Sequence, residues 1–290
     1  MEHNLPALTW NRYGKSRVRL VKLRRPSASS GQGAAPHDIV DLTIDIQLEG
    51  AFEAVYVNGD NRSCLPTDTM KNTVYALARH DPIAHVEAFA MRLAEHFAAK
   101  PGVSVARITA AEARWDRLSA GGRPHPHAFV QGGHEQWTAV VTQRGDGVSV
   151  TSGLTNLVAL KTTDSAFNGF PRDKYTTLPE TRDRILATSV TAAWTYGRAD
   201  TDFAARERIR AAMLEAFAVH DSASVQHTLY AMADAALCAC AEIAEITVTM
   251  PNRHHLLVDL APFGLDNPNE IFVATDQPFG LIEATVRRSS

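Results

Sequence analysis

Apolar positions along the chain follow two periods, and the order of these periods occurs twice. In the first half, strand-like alternation gives way to two segments of helical period and then to two more alternating runs. The second of the helical segments has its apolar residues at Val86, Phe89, Leu93 and Phe97, a 3.6-residue stripe. The predicted elements of this half are strands at 17–24 and 39–48, joined by the loop 26–36, helices at 68–79 and 83–99, and strands at 103–118 and 128–144.

The same order returns after the turn Gly145-Asp146-Gly147. Its elements are strands at 148–162 and 185–196, helices at 203–220 and 225–241, and strands at 242–250, 256–260 and 279–286. We therefore predict tandem β-β-α-α-β-β units, residues 1–145 and 146–290, in an α+β fold whose antiparallel sheets carry helices on one face. The other face of each sheet then needs a partner. The alternative is one ordinary α+β domain in which the repetition is coincidental.

The composition is ordinary for a soluble globular protein, with 45% hydrophobic and 21% charged residues. A formal net charge of −3 argues against a nucleic-acid partner or a membrane-surface role. Cys64, Cys238 and Cys240 are too few for a disulfide framework, which indicates a reducing compartment. The N-terminus lacks the features of a secretory signal, and the C-terminus is not a peroxisomal address, so we expect a cytoplasmic protein.

The segment from Phe167 to Arg184 has neither period and mixes aromatic, basic, proline and glycine residues. A connection of this length is usually functional or disordered. Phe167, Phe170, Tyr175 and Leu178 favour function, because disordered segments lack such apolar anchors. A ring at one end and a guanidinium at the other predict a binding site for a flat, anionic small molecule.

Other positions can carry chemistry, although each also has an ordinary structural explanation. Lys15 begins a strand and is either a solvated charge or a base that takes a proton. Thr67 or Asp68 is a normal N-cap, but the N-terminus of a helix also binds anions. Gln226 lies in the first turn of another helix, where its amide is either exposed and idle or matched to the edge of a lactam or purine.

The histidines invite a metal site, but their spacing does not favour one. His254 and His255 are adjacent, so on a strand they point to opposite faces, and no Glu or Cys lies at a zinc spacing. His125, His127 and His134 form a looser group. Surface or hydrogen-bonded histidines are the simpler explanation, and we predict no metal. The sequence also has no glycine-rich phosphate loop and no flavin or nicotinamide motif.

Seven short motifs occur in one order along nearly the whole chain. They are Tyr13-Gly14-Lys15-x-x-Val18-Arg19, Thr67-Asp68-x-x-Lys71-Asn72-Thr73, Phe167-x-Gly169-Phe170, Asp173-x-Tyr175-Thr176-Thr177-Leu178, Asp183-Arg184, Ser224-Val225-Gln226 and Pro251-Asn252-x-His254. Together they resemble urate oxidase (uricase). The resemblance implies the tunnelling fold, in which each subunit holds two tandem units and four subunits build a β-barrel tunnel ringed by helices.

The resemblance also implies a reaction of purine degradation: urate, O2 and water give 5-hydroxyisourate and hydrogen peroxide, with no metal or organic cofactor. Active sites of this family lie between the subunits of a homotetramer. Thr67 and Asp68 would therefore come from the neighbour of the chain that supplies Arg184.

Substrate-binding roles follow from the matched motifs. Arg184 and Gln226 would grip opposite edges of the urate anion, and Phe167 would stack on its face. Val225 would contribute a backbone N–H, and Leu178 an apolar wall. A purine without the matching oxygens would leave buried donors unpaired, at about 1–3 kcal/mol each.

Proton-handling roles fall on other motifs. Lys15 and Thr67 would form a proton-handling pair, with His254 linked to Lys15. Asn252 and His254 would serve the oxygen and water position above the ring. His255 departs from the family pattern, because an aromatic residue is expected there.

Two competing functions remain open from the sequence. One is another enzyme of the same fold, such as a pterin-processing enzyme, which a zinc requirement would favour. The other is a non-catalytic purine-binding or scaffold protein, which would not need Lys15, Thr67 and His254.

Overall fold

The structure is a computed structural model that describes residues 6–25, 36–198, 203–275 and 277–288. Residues 26–35 of the predicted loop lie outside the described residues. The first five residues and the last two, on which the prediction of a cytoplasmic location depends, also lie outside them. The chain divides into two compact units, Met1–Ser152 and Gly153–Ser290. No helix of the described residues is long and apolar enough to span a membrane.

The first unit contains the first predicted set of elements and one addition. Its elements are β1 (Tyr13–Arg24), β2 (Asp38–Gly50), α1 (Glu53–Asn58), α2 (Thr67–His80), α3 (Val86–Ala98), β3 (Val103–Ala120) and β4 (Arg123–Arg144). The strands form an antiparallel sheet in the order β1-β2-β3-β4. The sequence pattern missed α1 because this short helix buries none of its side chains and so has no apolar stripe.

The core of the first unit lies between the sheet and its helices. The predicted stripe of α3 is buried throughout, which confirms its helical period. On the sheet side, alternate residues of β2 are fully buried. Burial of a side chain of this size contributes about 1.5–3 kcal/mol. The main core residues are Leu42, Ile44, Ile46, Leu48, Met70, Val74, Phe89, Leu93 and Phe97.

The second unit repeats the order with one insertion. Its elements are β5 (Gly147–Lys161, which passes through the division between the units), β6 (Leu186–Tyr196), α4 (Arg206–Val219), α5 (Val225–Ala239), β7 (Ile243–Pro251), β8 (His254–Leu257), β9 (Phe272–Thr275) and β10 (Leu281–Arg287). The strand order is β5-β6-β7-β10, and β7 pairs antiparallel with β6 and β10. β8 and β9 form a separate antiparallel pair.

The insertion changes one predicted strand. The strand predicted at 256–260 begins at His254 and ends at Leu257, since its partner β9 offers only four residues for pairing. β9 itself was not predicted.

Large apolar side chains remain exposed on strands of both units. Val21 and Leu23 of β1 are 55% and 43% exposed, and Val158 and Leu160 of β5 are 57% and 48% exposed. The helices thus leave apolar sheet surface uncovered, in agreement with the expectation that one face of each sheet needs a partner.

Candidate active site

Lys15 reaches the helix-covered face of β1 because a β-bulge reverses the alternation of the strand. Lys15 pairs with Ile46 and Val18 pairs with Ile44, so residues 16–17 of β1 oppose one residue of β2. Ile44 and Ile46 are both fully buried on the helix side. Without the bulge, a strand that directs Val18 inward would direct Lys15 outward.

Backbone contacts fix the bulge and the approach of the two strands. Arg17 adopts a φ of 57°, and its N–H donates to Asp45 Oδ1 at 2.6 Å. Gly14 leaves no room for a side chain, because a Cβ there would lie 1.8 Å from the carbonyl oxygen of Ile46. Glycine beside the lysine is therefore required by the close contact of β1 with β2.

Thr67 is the first residue of α2, and the prediction that Thr67 or Asp68 caps this helix is wrong. Pro66 holds the N-cap position, its carbonyl accepts from the Met70 N–H at 3.2 Å, and no side chain caps the helix. The half-buried Thr67 hydroxyl makes no hydrogen bond within the described residues. Both this hydroxyl and the free N–H groups of the first turn are thus available to a ligand.

Asp68 connects the start of α2 to Lys15. Its carboxylate accepts hydrogen bonds from Lys71 and, at 2.9 Å, from Asn72 Nδ2. The hydrogen bond from Lys71 lowers the pKa of Asp68, and the charge of Lys15 lowers it further. The charge of Lys15 therefore acts on the first turn of α2, which holds Thr67 and Asp68.

In the second unit, backbone bridges bring the ends of the loop 167–184 to the start of α5. Phe167 and Thr181 exchange backbone hydrogen bonds of 2.9 and 3.0 Å, which close the loop. The Ala166 N–H donates to the carbonyl of Ser222 at 2.7 Å. Since Ser222 shortly precedes α5, Phe167 is brought towards Val225.

Arg184 lies beside Phe167 and lacks an acidic partner among the described residues. Its guanidinium carbon is 5.4 Å from the centre of the Phe167 ring. Burial lowers the pKa of Arg184, and its Nε is buried without a hydrogen-bond partner. A buried, unpaired cation is unfavourable until an anion joins it, so this arrangement favours an anionic ligand.

Within the loop, hydrogen bonds determine the shape more than apolar packing does. Asp173 accepts from the Tyr175 N–H at 2.8 Å and from the Thr176 hydroxyl at 2.9 Å. Tyr175 and Leu178 are 77% and 53% exposed. The prediction that they anchor the loop is therefore wrong within one chain. The ring that packs on Phe167 is Phe170, stacked at 4.9 Å between ring centres.

The N-terminus of α5 presents Gln226 on an exposed side. Ser224 caps the helix by accepting from the His227 N–H at 3.1 Å. Val225 is 3% exposed, whereas Gln226 is exposed. The buried valine fixes the start of the helix and leaves the Gln226 amide accessible.

Asn252 and His254 lie together after β7. The Asn252 N–H donates to the Gly280 carbonyl at 2.8 Å, and Asn252 Nδ2 is 3.4 Å from His254 Nδ1. His254 and His255 both border a depression of about 200 Å³ in the second unit. Arg184 does not line this depression.

The other histidine group differs from its prediction. The rings of His125 and His127 lie 4.6 Å apart, but the third ring near them is His37, at 6.0 Å from His127, rather than His134. Among the described residues there is no group of three or more His, Cys, Asp and Glu side chains that could hold a metal ion.

The predicted site residues thus fall into separate groups within the two units. Lys15, Thr67 and Asp68 belong to the first unit. In the second unit, backbone contacts join the loop ends to the start of α5, and Asn252 and His254 form a pair of their own. The sequence pattern did not predict the bulge beside Lys15. The glycine at position 14 was a signal for the bulge region, because strand glycines often mark such sites.

Comparison with known proteins identifies a family. The family model described as Uricase matches residues 11–142 and 150–283. Uricase from Arthrobacter globiformis is 47% identical over 280 residues, which cover 96% of this chain and 89% of that protein. Uricase from Aspergillus flavus is 36% identical over 299 residues, with 96% of both chains covered.

Solved structures agree. The crystal structure of uricase from Arthrobacter globiformis superposes with a TM-score of 0.90 at 46% identity, covering 98% of this chain and 96% of that one. Urate oxidase from Bacillus sp. TB-90 gives a TM-score of 0.84 at 21% identity, covering 96% of this chain and 100% of that one. The second similarity supports the fold alone.

Proposed function

The chain belongs to the uricase family, whose members are oxidoreductases acting on urate, and from this premise we propose the finer reaction. Urate, O2 and water give 5-hydroxyisourate and hydrogen peroxide, as a step of purine degradation. Two electrons leave urate and reduce O2, the oxygen of water becomes the new hydroxyl, and the released protons complete the peroxide. No metal or organic cofactor takes part in the proposed reaction.

The observation that carries this proposal is the environment of Arg184. A half-buried guanidinium beside the Phe167 ring, with no acidic partner among the described residues, suits a flat anion. Arg184 would fork one edge of urate, and Gln226 would pair with the opposite edge. Phe167 would stack on the ring, Val225 would add its backbone N–H, and Leu178 would add an apolar wall.

Proton transfer is assigned to the cluster in the first unit. Oxidation without a cofactor requires a further proton to leave urate, which makes it a better one-electron donor. Lys15 would accept this proton through the Thr67 hydroxyl, which is free of any cap hydrogen bond. Asp68 would complete this side of the site.

Asn252 and His254 would hold the oxygen or water molecule above the ring. Their side chains lie 3.4 Å apart, so both can contact one small molecule. His254 would exchange protons with Lys15.

We propose a homotetramer in which Thr67 and Asp68 complete the site of a neighbouring subunit. Exposed apolar side chains such as Val158 and Leu160 are compatible with such an assembly. The proposed location is the cytoplasm, which fractionation of the source cells would test.

The main experiment uses the full-length protein after metal removal. Urate consumption and peroxide formation are measured together, with heat-denatured protein as the inactive control. One peroxide per urate is the expected result. Urate binding without peroxide would indicate a purine-binding protein, and activity restored only by zinc would favour a metal-dependent enzyme of the same fold.

A further inference from the structure

Tyr13 joins the strand that carries Lys15 to the segment that leads to Thr67. Tyr13 pairs with Leu48 across β1 and β2, which places it on the same face of β1 as Lys15. Its phenolic oxygen accepts a hydrogen bond from the backbone N–H of Leu65 at 2.9 Å. Leu65 and Pro66 directly precede Thr67, so this bond fixes where α2 begins.

The Tyr13 side chain has a defined position, because both its ring and its hydroxyl make contacts. Its ring packs edge-on against Phe52, which is fully buried, with 4.9 Å between ring centres and an angle of 86°. Burial raises the pKa of Tyr13 to about 12, with Cys64 beside the phenol adding to the shift. The phenol therefore stays neutral at physiological pH and keeps the bond to Leu65.

We propose that Tyr13 is a positioning residue for the reaction: its hydroxyl sets the distance between the Thr67 hydroxyl and Lys15. The inference rests on the proposed roles of Lys15 and Thr67. The bulge and the close contact of Gly14 with β2 fix the position of Lys15, whereas the side chain of Thr67 makes no cap hydrogen bond. The bond from Leu65 to Tyr13 supplies the missing constraint on the Thr67 side.

Tyr75 provides a matched control on the same two elements. Its hydroxyl donates to the Arg19 carbonyl at 3.2 Å, so it also ties α2 to β1. Tyr75 lies farther along α2, away from Thr67. Loss of its hydroxyl removes one hydrogen bond to β1 without changing the contact of Leu65, which precedes Thr67.

The test compares Tyr13→Phe with Tyr75→Phe in the full-length enzyme. Tyr13→Phe keeps the ring on Phe52 and removes only the hydroxyl. We expect kcat to fall about three- to tenfold, the rate equivalent of one neutral hydrogen bond. The Kd for urate, measured without O2, and the KM should both stay within about twofold of the parental values. The pH profile of kcat should shift. Tyr75→Phe should keep parental kcat at a similar melting temperature.

A double-mutant cycle separates positioning from general stability. If Tyr13 acts through Thr67, adding Tyr13→Phe to Thr67→Ala should cost little further rate. Parental kcat in Tyr13→Phe, equal losses in Tyr13→Phe and Tyr75→Phe, or full additivity in the double variant would contradict the inference. Parental kcat in Thr67→Ala alone would instead contradict the proposed proton relay, whatever Tyr13→Phe does.

Discussion

At the scale of residues, the two cations of the proposed chemistry are positioned by their immediate neighbours in the chain. Gly14 lets β1 approach β2 closely, and the bulge that follows turns Lys15 inward. Asp183 accepts hydrogen bonds from the Thr163 hydroxyl at 3.0 and 3.1 Å, which ties the residue before Arg184 to the segment after β5. Contacts of the residues next to each cation in the chain therefore help to position its charge.

Loss of the Arg184 guanidinium should weaken urate binding more than turnover. Charge-assisted hydrogen bonds contribute about 1.5–3 kcal/mol, so Arg184→Ala should raise KM by about ten- to a hundredfold. Steady-state kinetics measures the effect. Arg182→Ala, a change at an exposed neighbour, should leave KM near the parental value. An unchanged KM in Arg184→Ala would contradict the proposal that Arg184 binds one edge of urate.

A methyl group at position 14 should disturb both stability and catalysis. The new Cβ would overlap the Ile46 carbonyl, and such overpacking costs about 1–3 kcal/mol. Gly14→Ala should therefore lower the melting temperature and, since Lys15 is adjacent, also lower kcat. Gly147→Ala is the control, because its nearest atom lies at 3.4 Å. Equal melting temperatures for the two variants would refute this explanation.

At the scale of elements, the first strands of the two units share a device. Arg17 in β1 and Asn156 in β5 have φ values of 57° and 58°. In both strands the inward-facing positions change parity at this point. Leu154 occupies in β5 the place that Lys15 occupies in β1. This correspondence agrees with a repeated order of elements, and only the first of the two strands carries the proposed base.

A second correspondence joins each first strand to a helix end. Lys22 of β1 donates to the carbonyls of Ala78 and Asp81 at the end of α2. Lys161 of β5 donates to the carbonyl of His220 at the end of α4. Each lysine satisfies carbonyls that a helix end leaves unpaired and opposes the negative end of the helix dipole.

The end of α4 should make stability sensitive to acid. The rings of His220 and His227 lie 4.2 Å apart. Burial, then the charges of His227 and Lys161, lower the pKa of His220, while Asp221 opposes the shift. The unfolded chain therefore binds a proton near its ordinary pKa of about 6.5 before the folded chain does, so stability should fall as pH drops below about 7.

Melting temperatures between about pH 8 and pH 5 measure this effect. His220→Gln should reduce the fall, whereas the exposed His134→Gln should leave it unchanged. Identical pH profiles for the parent and His220→Gln would show that the pair does not contribute.

At the scale of the whole molecule, the proposed site needs parts from two subunits. The first cluster contains Lys15, Thr67 and Asp68, and the second contains Arg184 and its neighbours. Exposed apolar sheet residues such as Val21 and Leu23 are compatible with the proposed association of subunits.

Subunit mixing tests this arrangement directly. At urate concentrations well below the raised KM of Arg184→Ala, homotetramers of Thr67→Ala and of Arg184→Ala should each show little activity. Co-expression should restore about a quarter of the sites, because random mixing pairs two intact clusters that often. Activity of purified hybrids, at known subunit ratios, measures this. Co-expressed Thr67→Ala and Lys15→Met should show no recovery, since both changes lie in the same cluster. No recovery with the first pair would contradict sharing between subunits.

Local periods in the sequence determined the helices and most strands, as in α3, where every residue of the apolar stripe is buried. The seven short motifs, which occur in one order along the chain, also determined the family. These properties depend on residues close together in the chain, or on short segments taken one by one. Only the tertiary structure decided that Lys15 turns inward, because a bulge exists only against a paired strand. It also decided that Arg184 meets the Phe167 ring and that Tyr13 holds Leu65, because those contacts depend on how distant segments pack.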